Sequence, residues 1–402
     1  MSSSRLDRSQ WLLVLAACLL GHLSTVGAAL PYPILPPLFV GPHPDPVSQF
    51  LGIPPKMLFG VAVAINPLGL LLGSALLGPC SDRYGRRRTL VVTAAVGAIG
   101  HVLSAWALTA GTFPLFVLAR FVTGLAEGNS AVARAMLADR IDGPARTQAF
   151  AWFNSALYMG WLAGPLLAGA TLPFGTSAPF LIAASALVVG GALTRWVLPT
   201  DQIHLGAGSL WEHARARNSL QLLAVRPIRS LFTLQLLFTL GQTAFYEFYP
   251  VWLVEIEGLG TRGISWVTAA LCCVMTGGSA WASRPHRTPP LLLSARCAAL
   301  SAMCFLGVAL GDARLGLLAI VLAGLPISIY NAVLQAEISR RFGAEYGQGA
   351  VMGLVSTVFC TSNIVAAVLG SALALLDTRA ILGAGALLSA CAAAGLQRRA
   401  GP

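Results

Sequence analysis

Apolar runs long enough to cross a lipid bilayer recur along this chain, and that recurrence limits its fold before any motif is read. Spanning a hydrocarbon core of about 30 Å takes roughly 20 apolar residues in a helix. The predicted spans lie near 11–37, 57–78, 89–110, 113–137, 147–170 and 176–198, then near 230–254, 263–282, 290–310, 314–335, 349–375 and 379–396. In lipid a helix satisfies its backbone within its own segment, so the expected fold is all-α and polytopic, with twelve transmembrane helices in two sets of six. Only 10% of the 402 residues are charged, against about 25% in a soluble domain, and the mean hydropathy is +0.74. Soluble enzymes, secreted disulfide scaffolds and disordered regulators are excluded. Arg5 and Arg8, the apolar stretch 11–20 and the small residues 26–29 imitate a secretory signal peptide. The apolar run continues through Leu35, which reads instead as a first membrane helix.

The net charge is +11, and Lys56 is the lone lysine among 26 basic residues. Such a balance can mark a nucleic-acid binder, but here the arginines fall in short clusters between apolar runs, the pattern of loops beside an anionic leaflet. With both termini placed in the cytoplasm, nineteen basic residues fall inside, four outside (Lys56, Arg262, Arg314, Arg379) and three within spans (Arg120, Arg134, Arg296). This asymmetry sets the orientation. The eight cysteines form no CxxC pair and nearly all lie in apolar runs, so neither a metal site nor a disulfide framework is expected. The expected division is 1–198, a cytoplasmic linker at 199–228, and 229–402. Leu210, Trp211, Ala214 and 220–223, interspersed with arginines, suit either a helix on the membrane surface or an unstructured basic linker. The halves echo each other: Pro31-Tyr32-Pro33 faces Tyr249-Pro250, Ala138-Asp139 matches Ala336-Glu337, and Gln148 matches Gln348. Two related halves around a midplane site is a secondary-transporter architecture.

Between the second and third spans the chain reads Gly78-Pro79-Cys80-Ser81-Asp82-Arg83-Tyr84-Gly85-Arg86-Arg87-Arg88-Thr89-Leu90. This resembles the signature loop of the major facilitator superfamily, G-x-x-x-D-R-x-G-R-R/K-x-x-L. The resemblance implies a cytoplasmic charge network in which Asp82, Arg83 and Arg86 join Asp139 at the end of the fourth helix and latch the outward-facing state. The corresponding second-half loop, 283–287, lacks the acid and the glycine, so any latch there must differ. Residues 118–128 resemble the family's R-x-x-Q-G-x-G pattern, with Thr123 in place of the glutamine and Ala126 in place of a glycine. In the fifth span Gly160, Gly164, Pro165, Ala168 and Gly169 resemble a signature of proton-coupled exporters. Physically, Gly160, Gly164 and Ala168 line one face and permit close helix approach, while Pro165 bends the span. Within the superfamily the chain is similar to the twelve-helix drug/proton antiporters and their tetracycline-exporter relatives.

An ionisable group inside a bilayer is costly and faces protein or a water-filled cavity. Arg120, Thr123, Glu127, Ser130 and Arg134 share one stripe of the fourth span, with Arg120 and Glu127 about 10 Å apart along the axis. Glu127 is the candidate coupling carboxylate, against the alternative of a structural ion cluster. Gln235, Thr239, Gln242, Tyr246 and Tyr249 form a stripe on the seventh span; Glu247 lies about 100° off it, facing a neighbouring helix or the outer headgroups, and is the second candidate proton site. Tyr32, Asn154, Tyr158, Gln242, Tyr246, Asn331 and Asn363 are candidates for a substrate cavity, and for each an interhelical hydrogen bond is the rival reading. Trp161, Tyr330, Gln335, Ser356 and Cys360 extend that lining, while His22 and His101 read as packing histidines before proton carriers.

No phosphate loop, nucleophile elbow or metal-binding histidine pair is present in the sequence, and no cofactor is expected. The expectation is a secondary transporter that acts as a monomer in a bacterial inner membrane, exchanging protons for a small drug-like molecule or secreted metabolite. The rivals are a proton-coupled uptake symporter for a nutrient and, from a different class, an integral-membrane transferase. The latter would be expected to carry a catalytic His/Asp cluster or a sizeable domain outside the membrane.

Overall fold

The computed structural model describes residues 7–42, 45–141, 143–198, 219–282, 284 and 287–400. The first predicted span forms α1 (Arg8–Ala29) and α2 (Pro31–Val40), and the second and third form α3 (Pro55–Tyr84) and α4 (Arg86–Thr109). The fourth is divided into α5 (Phe113–Glu127) and α6 (Asn129–Arg140); α7 (Gly143–Thr171) and α8 (Ala178–Val197) follow. The second set comprises α9 (Arg226–Glu257), α10 (Thr261–Ala282), α11 (Pro290–Leu310), α12 (Ala313–Tyr346), α13 (Gln348–Ala374) and α14 (Thr378–Ala400). At the start of α1 the Asp7 side chain accepts from the Gln10 backbone amide at 2.7 Å, while the Gln10 side chain bonds back to the Asp7 amide at 3.1 Å. This capping box satisfies two otherwise unpaired donors and holds the Asp7 carboxyl below its usual range.

Among the described residues, ten of the resulting segments are long and apolar enough to cross a membrane. The two predicted spans outside that set are the fourth and the seventh, and both owe it to their polar stripes. The fourth carries Arg120, Glu127 and Arg134 and is interrupted at Gly128; α9 is long enough but holds two glutamines, several threonines and Glu247. At the interruption the chain packs closely on α3. A Cβ on Gly73 would lie 2.2 Å from the Leu125 carbonyl oxygen, one on Gly124 would lie 2.2 Å from that of Asn66, and one on Gly128 would lie 2.4 Å from the Gly73 carbonyl carbon. Paired glycines thus let the two backbones meet directly.

The chain forms two compact units, one from Met1–Ile34 with Ile65–Ala216 and the other from Leu35–Ala64 with Arg217–Pro402. In the first, α1 packs on α7 and α8, and α4 packs on α5 and α8. In the second, α9 packs on α13 and α14, and α11 on α12 and α14. These are the same pairings moved six spans along the chain, the packing counterpart of the sequence echo. Of the expected surface segment, 199–218 lies outside the described residues; Ser219–Ala224 is a 3-10 turn leading into α9.

Candidate functional site

The stripe on α5 is organised by a residue that the sequence reading did not single out. Asn66 of α3 is 7% exposed, and its side-chain amide lies 3.2 Å from both Glu127 carboxylate oxygens, 3.3 Å from Thr123 Oγ1 and 3.4 Å from the Arg120 carbonyl oxygen. Thr123 Oγ1 donates to the Arg120 carbonyl at 2.8 Å and accepts from Arg120 Nη1 at 3.5 Å. Arg120, Thr123 and Glu127 are all buried. Arg120 and Glu127 are therefore joined through Asn66 and Thr123 rather than by a direct ion pair. The arrangement comprises a buried acid, a buried guanidinium and one amide donor able to bond either carboxylate oxygen. The one signal for Asn66 is a side-chain amide in an apolar helix, one turn before Gly69.

Arg134, the last member of the stripe, is exposed, and Arg134 Nη2 donates to Asn154 Oδ1 of α7 at 3.1 Å. Its guanidinium carbon lies 5.7 Å from the centre of the Phe153 ring. Further along α7, Tyr158 is 69% exposed, and Trp161 meets Tyr32 edge-to-face at 5.8 Å. The exporter-like glycines lie on the other face of α7. A Cβ on Gly160 would fall 2.7 Å from Thr25 Cβ, and one on Gly164 would fall 2.7 Å from Ala29 Cβ. Those glycines seat α7 on α1; Pro165 lies within the helix and Gly169 is buried. His22 Nδ1 lies 3.0 Å from the Ala156 carbonyl oxygen in the same contact. His101 is buried against Phe180 and fills the space beside Gly27, where a Cβ would lie 2.3 Å from His101 Nε2. Both histidines occupy packing positions.

At the other end of the unit, Arg86 gathers the signature loop. Its Nη2 lies 2.5 Å from Asp82 Oδ1, its Nε donates to Asp139 Oδ2 at 3.1 Å, and its Nη1 bonds Ser81 Oγ. Gly85 takes φ +94°, a conformation that a side chain would strain, and so turns α3 into α4. Arg83 stands apart, its guanidinium 5.6 Å from the Tyr84 ring centre. The second unit neutralises its matching acid differently. Glu337 is buried and pairs with Arg340 at 2.8 Å and with Arg341, both on its own helix.

In the second unit the predicted lining largely bonds across helices. Asn331 Nδ2 donates to Gln242 Oε1 at 3.1 Å, Tyr246 Oη bonds Met275 Sδ at 3.2 Å, and Tyr249 Oη lies 2.7 Å from Thr268 Oγ1. Asn363 Nδ2 donates to the Phe359 carbonyl of its own helix at 2.8 Å. Tyr330 is buried, its ring stacked on Phe238 at 3.6 Å. Glu247 is 2% exposed and neither carboxylate oxygen has a partner among the described residues, so it faces protein rather than headgroups. One turn earlier on α9, Thr243 Oγ1 reaches the Ser362 carbonyl of α13 at 3.3 Å.

Residues 17–367 match the family profile described as Major Facilitator Superfamily. The chain is 26% identical over 360 residues to the tetracycline resistance protein, class G, of Vibrio anguillarum, an alignment covering 87% of this chain and 86% of that protein. It is 32% identical over 168 residues to the class C protein of Escherichia coli, covering 40% of this chain and 38% of that relative. The match thus spans well under half the length of the class C protein. Among solved structures, a D-xylose-proton symporter superposes with a TM-score of 0.72 at 18% identity, covering 96% of each chain, which shows the shared fold. With a profile match over most of its length, this chain belongs to the Major Facilitator Superfamily and is a membrane transporter rather than an enzyme.

Proposed function

We propose that the protein is a proton-coupled exporter of small drug-like molecules or secreted metabolites, working by alternating access in a bacterial inner membrane with both termini cytoplasmic. The observation that carries this reading is the buried Asn66–Glu127–Thr123–Arg120 cluster. A carboxylate enclosed in a membrane protein, bonded through an amide and near a guanidinium, is suited to exchange a proton as its surroundings change. Arg120 supplies compensating charge without closing an ion pair that would immobilise the acid. The exporter-like glycine face of α7 and the tetracycline resistance for which the relatives are named support the outward direction. An uptake symporter would use the same cluster, so direction is the point to test.

The test is transport of tetracycline, used as the probe, in proteoliposomes carrying an imposed pH gradient. Drug movement opposite to the proton flux, together with substrate-induced proton movement, is expected of the wild-type chain. Glu127→Gln preserves the size of the acid but has no proton to exchange, so it should lose uphill transport and retain counterflow exchange. Co-directional movement of drug and protons would overturn export. Normal uphill transport by Glu127→Gln would move the coupling role elsewhere, with Glu247 the next residue to test.

A further inference from the structure

The first unit contains an exposed cation in a membrane-spanning segment that the coupling cluster does not use. Arg134 stands six residues before the end of α6, about 9 Å along the helix from Arg140. It forms no ion pair with a carboxylate among the described residues; its guanidinium bonds the Asn154 amide oxygen, lies over the Phe153 ring and interacts electrostatically with Tyr158. Glu127 is spoken for by Asn66 and stands seven residues, or about 10 Å, along the stripe. An exposed guanidinium within a span belongs against a water-filled cavity, because contact with lipid tails is costly. Asn154 and Phe153 hold it along the protein. One of its N–H groups is used by Asn154, leaving others free for a ligand.

The surroundings give the ligand a shape. Asn154, Tyr158 and Trp161 lie at offsets 0, 4 and 7 on one face of α7. Asn154 holds the guanidinium, Tyr158 offers an exposed hydroxyl on the next turn, and Trp161 with Tyr32 forms an edge-to-face aromatic corner about 10 Å from Asn154 along the axis. Trp161 is itself 37% exposed, so its ring is available to a ligand. A planar guanidinium is matched to carboxylate and sulfonate oxygens, which it can take in a two-pronged hydrogen bond. An indole–phenol corner takes a flat apolar body.

We propose that Arg134, Asn154, Tyr158, Trp161 and Tyr32 form a substrate site for amphipathic aromatic monoanions, the acid group on Arg134 and the ring system against Trp161 and Tyr32. This assignment rests on the exporter reading for its physiological meaning and names the substrate class of that transporter. Arg134 is the specificity-determining residue, and the proton cluster at Glu127 is separate from it.

The test compares two probes with one aromatic skeleton, 1-anilinonaphthalene-8-sulfonate and uncharged N-phenyl-1-naphthylamine. Binding is measured at equilibrium on the full chain in nanodiscs, with binding to empty nanodiscs subtracted. The wild-type chain should bind the sulfonate about tenfold or more tighter than the uncharged amine, the scale of a charge-assisted hydrogen bond. Arg134→Gln should erase that preference by weakening the sulfonate alone, Arg134→Lys should keep most of it, and Trp161→Ala should weaken both probes. Equal affinities in the wild-type chain overturn the proposal whatever the variants do, as does a sulfonate preference that survives Arg134→Gln or a loss of both probes in that variant. No gradient is applied, so failure here leaves the proton-exchange test of Glu127 standing, and failure there leaves this result unchanged.

Discussion

Lys56, the lone lysine of the sequence, places its Nζ 2.7 Å from Glu255 Oε1, and the same ammonium donates to the Ala374 carbonyl oxygen at 2.7 Å and to Thr378 Oγ1 at 3.3 Å. All three of its donors are therefore engaged, on the ends of α9, α13 and α14 within the second compact unit. The cation also lies at the carbonyl end of α13, where the helix dipole favours positive charge. Both side chains of the pair are about a quarter exposed, at 23% and 26%. Lys56→Glu places like charges together and should destabilise the protein by about 1 kcal/mol, whereas the swap Lys56→Glu/Glu255→Lys should recover part of that loss. Thermal unfolding of the purified variants in one detergent checks the ordering, and no recovery in the swap would reduce the pair to proximity.

Arg86 bridges two acids from different helices, Asp82 on α3 and Asp139 on α6. Asp139→Asn removes one of two negative partners and leaves Asp82 beside the arginine, so it should slow transport less than Arg86→Gln, which removes the cation shared by the two acids. Asp82→Asn should likewise impair transport while insertion remains intact. Transport rates normalised to membrane expression decide this, and near-parental rates in all three variants would leave the loop as a topology signal only.

The contrast between these clusters shows what the sequence carried. Hydropathy located the helical segments, ten of which are apolar enough among the described residues to cross a membrane, because burial in lipid demands a contiguous apolar run, but it placed helix ends poorly. The span expected at 314–335 runs from Ala313 to Tyr346, because the backbone continues past the hydrocarbon and Glu337 is closed by Arg340 and Arg341 at helical spacing. The loop that binds Asp82 to Arg86 was legible because its residues lie four apart. Asn66 was not, since its partners lie 54 to 61 positions away and are reached only because glycines let α3 meet α5. Lys56 and Glu255 are still further apart along the chain.

The close approach itself is testable. Gly73 has no room for a Cβ, its nearest neighbour being backbone at 2.2 Å, whereas a Cβ on Gly277 would have open space. Gly73→Ala has to push two helices apart and should cost about 1–3 kcal/mol by overpacking. Gly277→Ala, in the interior of α10, should be neutral or slightly stabilising. Parallel thermal melts of the two variants compare them directly, and a Gly73→Ala protein as stable as Gly277→Ala would contradict the packing described for α3 and α5.

The expected orientation rests on the basic residues, and exposure selects the reporters that test it. Leu51 is 81% exposed on the segment expected outside, and Gln397 is exposed near the end of α14 on the expected cytoplasmic side. In a background with its cysteines replaced, Leu51→Cys should react with an impermeant maleimide in intact cells, and Gln397→Cys should react only after permeabilisation. The opposite pattern would invert the topology.

Asn66 provides the sharpest test of the coupling cluster, because one substitution removes every hydrogen bond that it gives Glu127 while leaving the acid in place. Leucine keeps the branched outline of asparagine but is bulkier and donates nothing, so Asn66→Leu leaves Thr123 bonded to the Arg120 carbonyl and strips the amide from both carboxylate oxygens. A buried charged acceptor that loses its donor loses about 1.5–3 kcal/mol of interaction, equivalent to roughly tenfold or more in a rate or equilibrium that depends on it. Uphill transport by Asn66→Leu should therefore fall by about that factor. Counterflow exchange, which needs no net proton movement, should stay within about twofold of the parent. Asn363→Leu is the matched comparison, since that amide bonds a carbonyl of its own helix and gives no bond to an acid among the described residues, so any effect should fall on uphill transport and exchange alike. Equal effects of the two substitutions, or a loss of exchange together with uphill transport in Asn66→Leu, would show that the amide supports the packing of α3 on α5 rather than the exchange of a proton at Glu127.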